Sequence, residues 1–254
     1  MRVELLVVGL GNPGRAYSHT RHNVGWWAVE ELLKRHDVRL NRRRRLQAST
    51  AELTLGERLV VISTPSTYMN QSGRAVAKLI SAYKLESLEH LMILHDELDL
   101  PVGSVKVKIG GGMAGHRGLK SIRDHLRVSE FARVRIGIGH PERPYSSNRE
   151  SSPGRRSQTV STRAIADTCN TVDRPVSPAT VPHTKASCLS GESRELVQGR
   201  FVEAQGGVAE YVLGQPDETE LPELRKAVVK AADAVEHLVH NDLQSTMNSF
   251  NVTQ

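Results

Sequence analysis

Short apolar or alternating runs recur along this chain between amphipathic stretches, and they limit the folds open to it. VELLVV (residues 3–8) reads as a buried strand closed by the turn-rich GLGNPG. Residues 48–55 and RLVVIST (58–64) read as two more strands, the second ended by Pro65. LMILHD (91–96) is another buried run, while SVKVKI (104–109) and RVRIGIG (133–139) alternate as strands do. Helical patterns lie between them. One starts near Asn23, read as its N-cap, with Val24, Trp27, Ala28, Leu32 and Leu33 on its apolar face. A second starts at Ser72 with the stripe Val76, Leu79, Ile80 and Tyr83, and a third, LKSIRDHL, follows GGGMAGHRG. The last spans Leu221 to Val239. Strands alternating with helices predict an α/β domain whose helices pack against a mostly buried sheet.

Residues 146–206 break this rhythm with a Ser/Thr/Pro-rich run that has no sustained period and few large apolar residues. Such a stretch buries too little surface to offset its ordering entropy, so it is predicted to be a disordered insertion. One domain is then made by 1–145 and 207–254. Cys169 and Cys188 both fall inside the insertion and cannot frame a core. Neither CxxC nor a Cys/His zinc spacing is present, which predicts no structural metal. A hydrophobic content of 38% and a mean hydropathy of −0.38 suit a soluble protein. No apolar run approaches the ~18–20 residues of a membrane helix. The N-terminus enters a strand with no room for a presequence, so an intracellular, cytoplasmic protein is expected, an organelle remaining open. The net charge of +6 points mildly towards an anionic partner.

Gly9, Gly11 and Gly14 satisfy G-x-G-x-x-G after a strand. A dinucleotide site needs those glycines to open a helix directly. Here Asn12-Pro13-Gly14 is a turn, and RAYSHTRH has no apolar face, so GLGNPG is a loop carrying Asn12 to a strand end. His22 sits in TRHNVGWW just ahead of a helix, and Asp96 ends LMILHD at the edge where α/β sheets place ligands. A carboxylate accepting the Nδ1 proton would leave Nε2 as a general base. The competing reading makes HDELDLP a solvated acidic turn. A metal site lacks a second His/carboxylate cluster at ligand spacing. There is no G-x-S-x-G, so no covalent nucleophile is offered. The candidate polar groups are the amides of Asn12, Asn23 and Asn70, suited to an oxyanion or a water. Together they predict attack of water on an ester.

Lys106 and Lys108 alternate against Val105, Val107 and Ile109, and Arg133 and Arg135 against Val134, Ile136 and Ile138. Two basic strand faces beside a glycine-rich loop predict a phosphate cradle. Arg42–Arg45 reads as a solvated run. Aromatics at 4% argue against a base-stacking single-strand binder.

Taken in order, GLGNPG, TRHNVG, TYMNQSG, HDELDLPVG, KIGGGMAGHRGLKS and RIGIGHP resemble bacterial-type peptidyl-tRNA hydrolases over residues 3–145 and about 207–250. The resemblance implies a single α/β domain with a mixed, mostly parallel central sheet flanked by helices, acting as a monomer without metal or other cofactor. It implies hydrolysis of the ester between peptide and tRNA. By position, His22 matches the proton acceptor and Asp96 the acid that keeps it basic. Asn12 matches the residue discriminating N-blocked from free aminoacyl groups. Tyr17, Tyr68 and Asn70 match contacts to the acyl and 3′-terminal end, and Lys108 and Arg135 a clamp on the tRNA 5′ phosphate. The chain departs from the family at His116-Arg117-Gly118, where H-N-G is usual, so Arg117 replaces an amide that contacts water or tRNA. Plant organellar intron-splicing factors resemble the same fold, which leaves a non-enzymatic RNA-binding scaffold as the alternative.

Overall fold

The computed structural model describes residues 2–141 and 206–252. Residues 146–205 of the predicted insertion lie outside the described residues, while Gly206, its last residue, already begins a helix. The strands are β1 (Val3–Gly9), β2 (Asn41–Arg43), β3 (Ala48–Leu55), β4 (Arg58–Pro65), β5 (Leu91–Glu97), β6 (Val105–Ile109) and β7 (Ala132–Gly137). The helices are α1 (Val24–Arg35), α2 (Ser72–Ala82), α3 (Arg117–Leu126), α4 (Gly206–Leu213), α5 (Glu220–His240) and α6 (Leu243–Phe250).

The strands form one seven-stranded sheet in the order β2-β3-β4-β1-β5-β7-β6. Its centre, β4-β1-β5-β7, is parallel, and the three outer pairings β2/β3, β3/β4 and β6/β7 are antiparallel. The sheet is therefore evenly mixed, with the parallel pairings gathered in the middle. Crossovers through α1 and α2 bury the central strands on both faces, so VELLVV is a continuous apolar run. Leu5 and Val7 face one core with Val24, Ala28 and Leu32 of α1 and Leu224, Ala231 and Val235 of α5. Leu6 and Val8 face the other, with Val76 and Leu79 of α2 and Leu119 and Ile122 of α3. Each of the Leu, Ile and Val side chains removed from water contributes roughly 1.5–3 kcal/mol.

The chain leaves β1 towards β4 and then returns through α2 to β5 on the other side. That reversal opens a crevice beyond the carboxyl ends of β1 and β5, where open α/β sheets bind ligands. Both edge strands are guarded. Asn251 accepts the amide of Val107 on β6 at 2.8 Å and donates back to its carbonyl at 2.8 Å. At the other edge, β2 carries exposed Arg42 and Arg43. No helix among the described residues is long and apolar enough to cross a membrane.

Candidate active site

The loop after β1 and the start of α1 close on each other because two glycines permit it. A Cβ at Gly25 would meet the backbone of Leu10 and Leu94, and one at Gly11 would lie 2.8 Å from the indole of Trp26. The first turn of α1 therefore rests directly on the ends of β1 and β5. Asn23, expected to cap this helix, makes no side-chain cap. Its Oδ1 accepts the Asn12 amide at 2.8 Å and its Nδ2 donates to the Asn12 carbonyl at 3.0 Å. Asn23 is thus spent on holding the GLGNPG loop and is not available to a reacting group. Ser72 does not cap α2 either; its hydroxyl donates to the Met69 carbonyl. Arg21 is structural as well: it lies 4.2 Å over the Tyr211 ring, donates to the Tyr211 carbonyl and pairs with Glu220.

Asn12 has a fixed amide orientation. The Met69 amide donates to its Oδ1 at 2.8 Å, which leaves Nδ2 as an unused donor at the crevice. The same bond places Tyr68 and Asn70 beside it, on the short 3-10 turn Met69–Gln71 and its flank. Tyr68 is 56% exposed and meets Tyr17 edge to face, with ring centroids 6.4 Å apart. Asn70 is exposed without a side-chain partner among the described residues.

His22 and Asp96 meet as expected. Nδ1 of His22 stands 2.9 Å from both carboxylate oxygens of Asp96. Both residues are buried, as is Glu97, so HDELDLP is not a solvated turn. A second histidine, which the sequence spacing did not reveal, joins them. His116 Nε2 lies 2.9 Å from Asp96 Oδ1, and the ligand atoms of His22, Asp96 and His116 all fall within 4.8 Å of one another. This trio has the spacing of a metal site, but its proton placement opposes one. His116 Nδ1 accepts the amides of Gly118 and Leu119 at 3.1 and 3.2 Å, capping α3. The ring proton must then sit on Nε2 and point at Asp96, where a ligand would need a lone pair. With both imidazoles donating, Asp96 is held ionised. Burial acts to raise its pKa, and the charges and hydrogen bonds of His22 and His116 outweigh that, holding it well below the carboxylate range.

Two further residues carry no legible signal in the sequence. His95, fully buried, donates from Nδ1 to the Asp96 carbonyl at 2.7 Å and has no partner at Nε2. Burial first, then neighbouring His116, push its pKa well below the usual histidine range. Its ring stands edge-on to His116, centroids 5.0 Å apart. Glu97 accepts from Arg135 at 2.8 Å.

That contact changes the phosphate cradle read from the sequence. Arg133 is buried and donates to the carbonyls of Gly110, Gly111 and Gly112, so it braces the glycine-rich loop instead of facing solvent. Arg135 shares its charge with Glu97. Lys106 pairs across the ladder with Arg135 and Lys108 with Arg133, and both lysines are only partly buried. The basic face is therefore Lys106, Lys108 and a half-neutralised Arg135. Arg117 is the exposed first residue of α3, directly after His116.

Comparison with known proteins identifies the family. The peptidyl-tRNA hydrolase family model matches residues 6–152. A peptidyl-tRNA hydrolase of Syntrophomonas wolfei is 31% identical over 97% of this chain and 99% of its own length. One of Beijerinckia indica is 49% identical over 54% of this chain and 68% of its own. The crystal structure of the Acinetobacter baumannii peptidyl-tRNA hydrolase superposes with a TM-score of 0.70 at 28% identity, covering 100% of this chain and 98% of that one. By these matches the chain belongs to the peptidyl-tRNA hydrolase family.

Proposed function

We propose that this chain hydrolyses the ester between peptide and the 3′ ribose of tRNA, with His22 as the base. The observation that carries the assignment of the base is the Asp96 carboxylate against His22 Nδ1. It keeps Nε2 unprotonated and turned away from the carboxylate. Nε2 takes a proton from water as the hydroxide adds to the ester carbonyl carbon. The oxyanion formed is met by a preorganised donor, Asn12 Nδ2. Collapse breaks the bond to the ribose 3′ oxygen, which leaves with the proton held on His22. Asp96, ionised throughout, stabilises the imidazolium between these two transfers.

Tyr17, Tyr68 and Asn70 line the crevice where the acyl group and terminal nucleotide would sit. Lys108 and Arg135 would hold the 5′ phosphate, and Arg117 would reach the tRNA from α3. No step in this scheme calls for a metal or another cofactor. The protein would act as a monomer in the compartment where translation runs, a state supported by its two guarded sheet edges. The intact set of Asn12, His22, Asn70 and Asp96 favours the enzyme over an RNA-binding scaffold.

The test is release of tRNA from N-acetyl-aminoacyl-tRNA, with unblocked aminoacyl-tRNA as control. His22→Ala should slow the chemical step by roughly 10²–10⁴ while substrate binding survives. Near-normal turnover in the folded variant would remove His22 as the base. RNA binding without hydrolysis in the wild type would favour the scaffold instead.

A further inference from the structure

The arginine run at residues 42–45, which the sequence suggests is merely solvated, has a definite place in the fold. Arg43 pairs with Ala48, and Ala48 with Pro65, so the run stands at the same edge of the sheet as His22 and Asp96. It occupies the flank away from Lys108 and Arg135. Strands β4 and β3 separate β1 from β2 on one side, as β5 and β7 separate β1 from β6 on the other. At about 4.8 Å per strand, each flank lies ~14 Å from β1.

Arg39, Arg42, Arg43, Arg44 and Arg45 are all exposed, and none of their side chains hydrogen-bonds or pairs its charge with another described residue. The 3-10 turn Arg44–Leu46 packs against α2, whose first turn carries exposed Arg74. Edge protection accounts for Arg42 and Arg43 on the strand, but Arg44 and Arg45 lie beyond it. Like charges this close repel one another unless a polyanion meets them. Arginine supplies the planar fork that matches phosphate.

We propose that Arg42–Arg45, with Arg74, form a second RNA-binding surface, which grips the phosphate backbone of an RNA strand other than the tRNA in the crevice. A tRNA clamped by Lys108 and Arg135 enters from the opposite flank, and its 3′ end stops at His22. The arginine flank therefore lies beyond the terminal nucleotide. Its separateness from the tRNA site rests on the clamp reading above; its affinity for RNA does not.

The experiment uses the full-length protein and a labelled short oligouridine, with binding followed by anisotropy across a salt series, with and without saturating deacylated tRNA. The oligonucleotide should bind with tRNA present. Replacing all four residues (R42Q, R43Q, R44Q and R45Q together) should weaken its binding at least about tenfold. It should also flatten the salt slope by about 3, four phosphate contacts at ~0.7 each. The matching four-lysine variant should keep most of the slope, and both variants should hydrolyse N-acetyl-aminoacyl-tRNA as the wild type does. Unchanged oligonucleotide binding in the glutamine variant would overturn the proposal. So would full displacement by tRNA, which would assign the surface to the tRNA footprint. Equal competition by polyglutamate would assign it to an acidic peptide instead. Failure of hydrolysis with oligonucleotide binding intact would remove the enzyme reading and leave this surface standing.

Discussion

His116 Nε2 stands 2.9 Å from Asp96 Oδ1, and the proton between them belongs to His116, because Nδ1 of the same ring already accepts the amides of Gly118 and Leu119. One side chain thus joins the start of α3 to the carboxylate that orients His22.

These two duties of His116 are separable. Asn is a good N-cap but too short to cap α3 and also reach Asp96. His116→Asn should keep most of the stability and lose activity, whereas His116→Ala should lose activity and also about 1 kcal/mol of stability. Denaturant unfolding and single-turnover hydrolysis measure the two effects. Full activity in the Asn variant would reduce His116 to a helix cap.

His95 makes stability depend on pH. Its folded-state pKa is depressed, so the native protein leaves it neutral where the unfolded chain, titrating near 6.5, binds a proton. The stability it contributes is present above about pH 6.5 and is lost as pH falls towards the depressed value. One proton sets a slope of at most about 1.4 kcal/mol per pH unit. His95→Gln should unfold more easily at pH 7 yet lose less on acidification. Parallel stability curves for variant and wild type between pH 7 and 5 would show that another group is responsible.

Glu97 pairs with Arg135 of the proposed phosphate clamp. Lys108→Ala or Arg135→Ala should weaken tRNA binding and reduce its salt slope by about 1. Glu97→Gln, which releases the Arg135 charge, should do the opposite and tighten binding. The comparison of tRNAs with and without a 5′ phosphate localises the effect. Weaker binding by the Gln variant would mean that Glu97 positions Arg135 instead of neutralising it.

Arg117 is expected to trade rate against binding. An amide at this point both donates to and accepts from a water, whereas a guanidinium only donates and carries fixed charge. Arg117→Asn should raise the single-turnover rate and loosen tRNA binding. A variant that is slower and binds more tightly would reverse the assignment.

The parts whose signals are local can be read from the residues alone. Strand and helix periods are written in neighbouring residues, so VELLVV, LMILHD and the stripe from Leu221 to Val239 are legible without tertiary information. His22 and Asp96, 74 residues apart, could be paired because the pattern marks one just ahead of a helix start and the other at a strand end. β2, with three residues, and α6, with a polar sequence, have too little periodicity to show. Which side chains meet is settled by the fold. The sequence places Arg133 and Arg135 alike, two apart on one strand face. Sheet order then buries the first against the glycine loop and sets the second on Glu97. Asn23 becomes a brace, and His116 closes the Asp96 triad, for the same reason. A side chain's partners are set by register and by helix placement across the sheet, and those follow from packing summed over the whole core, which no local window contains.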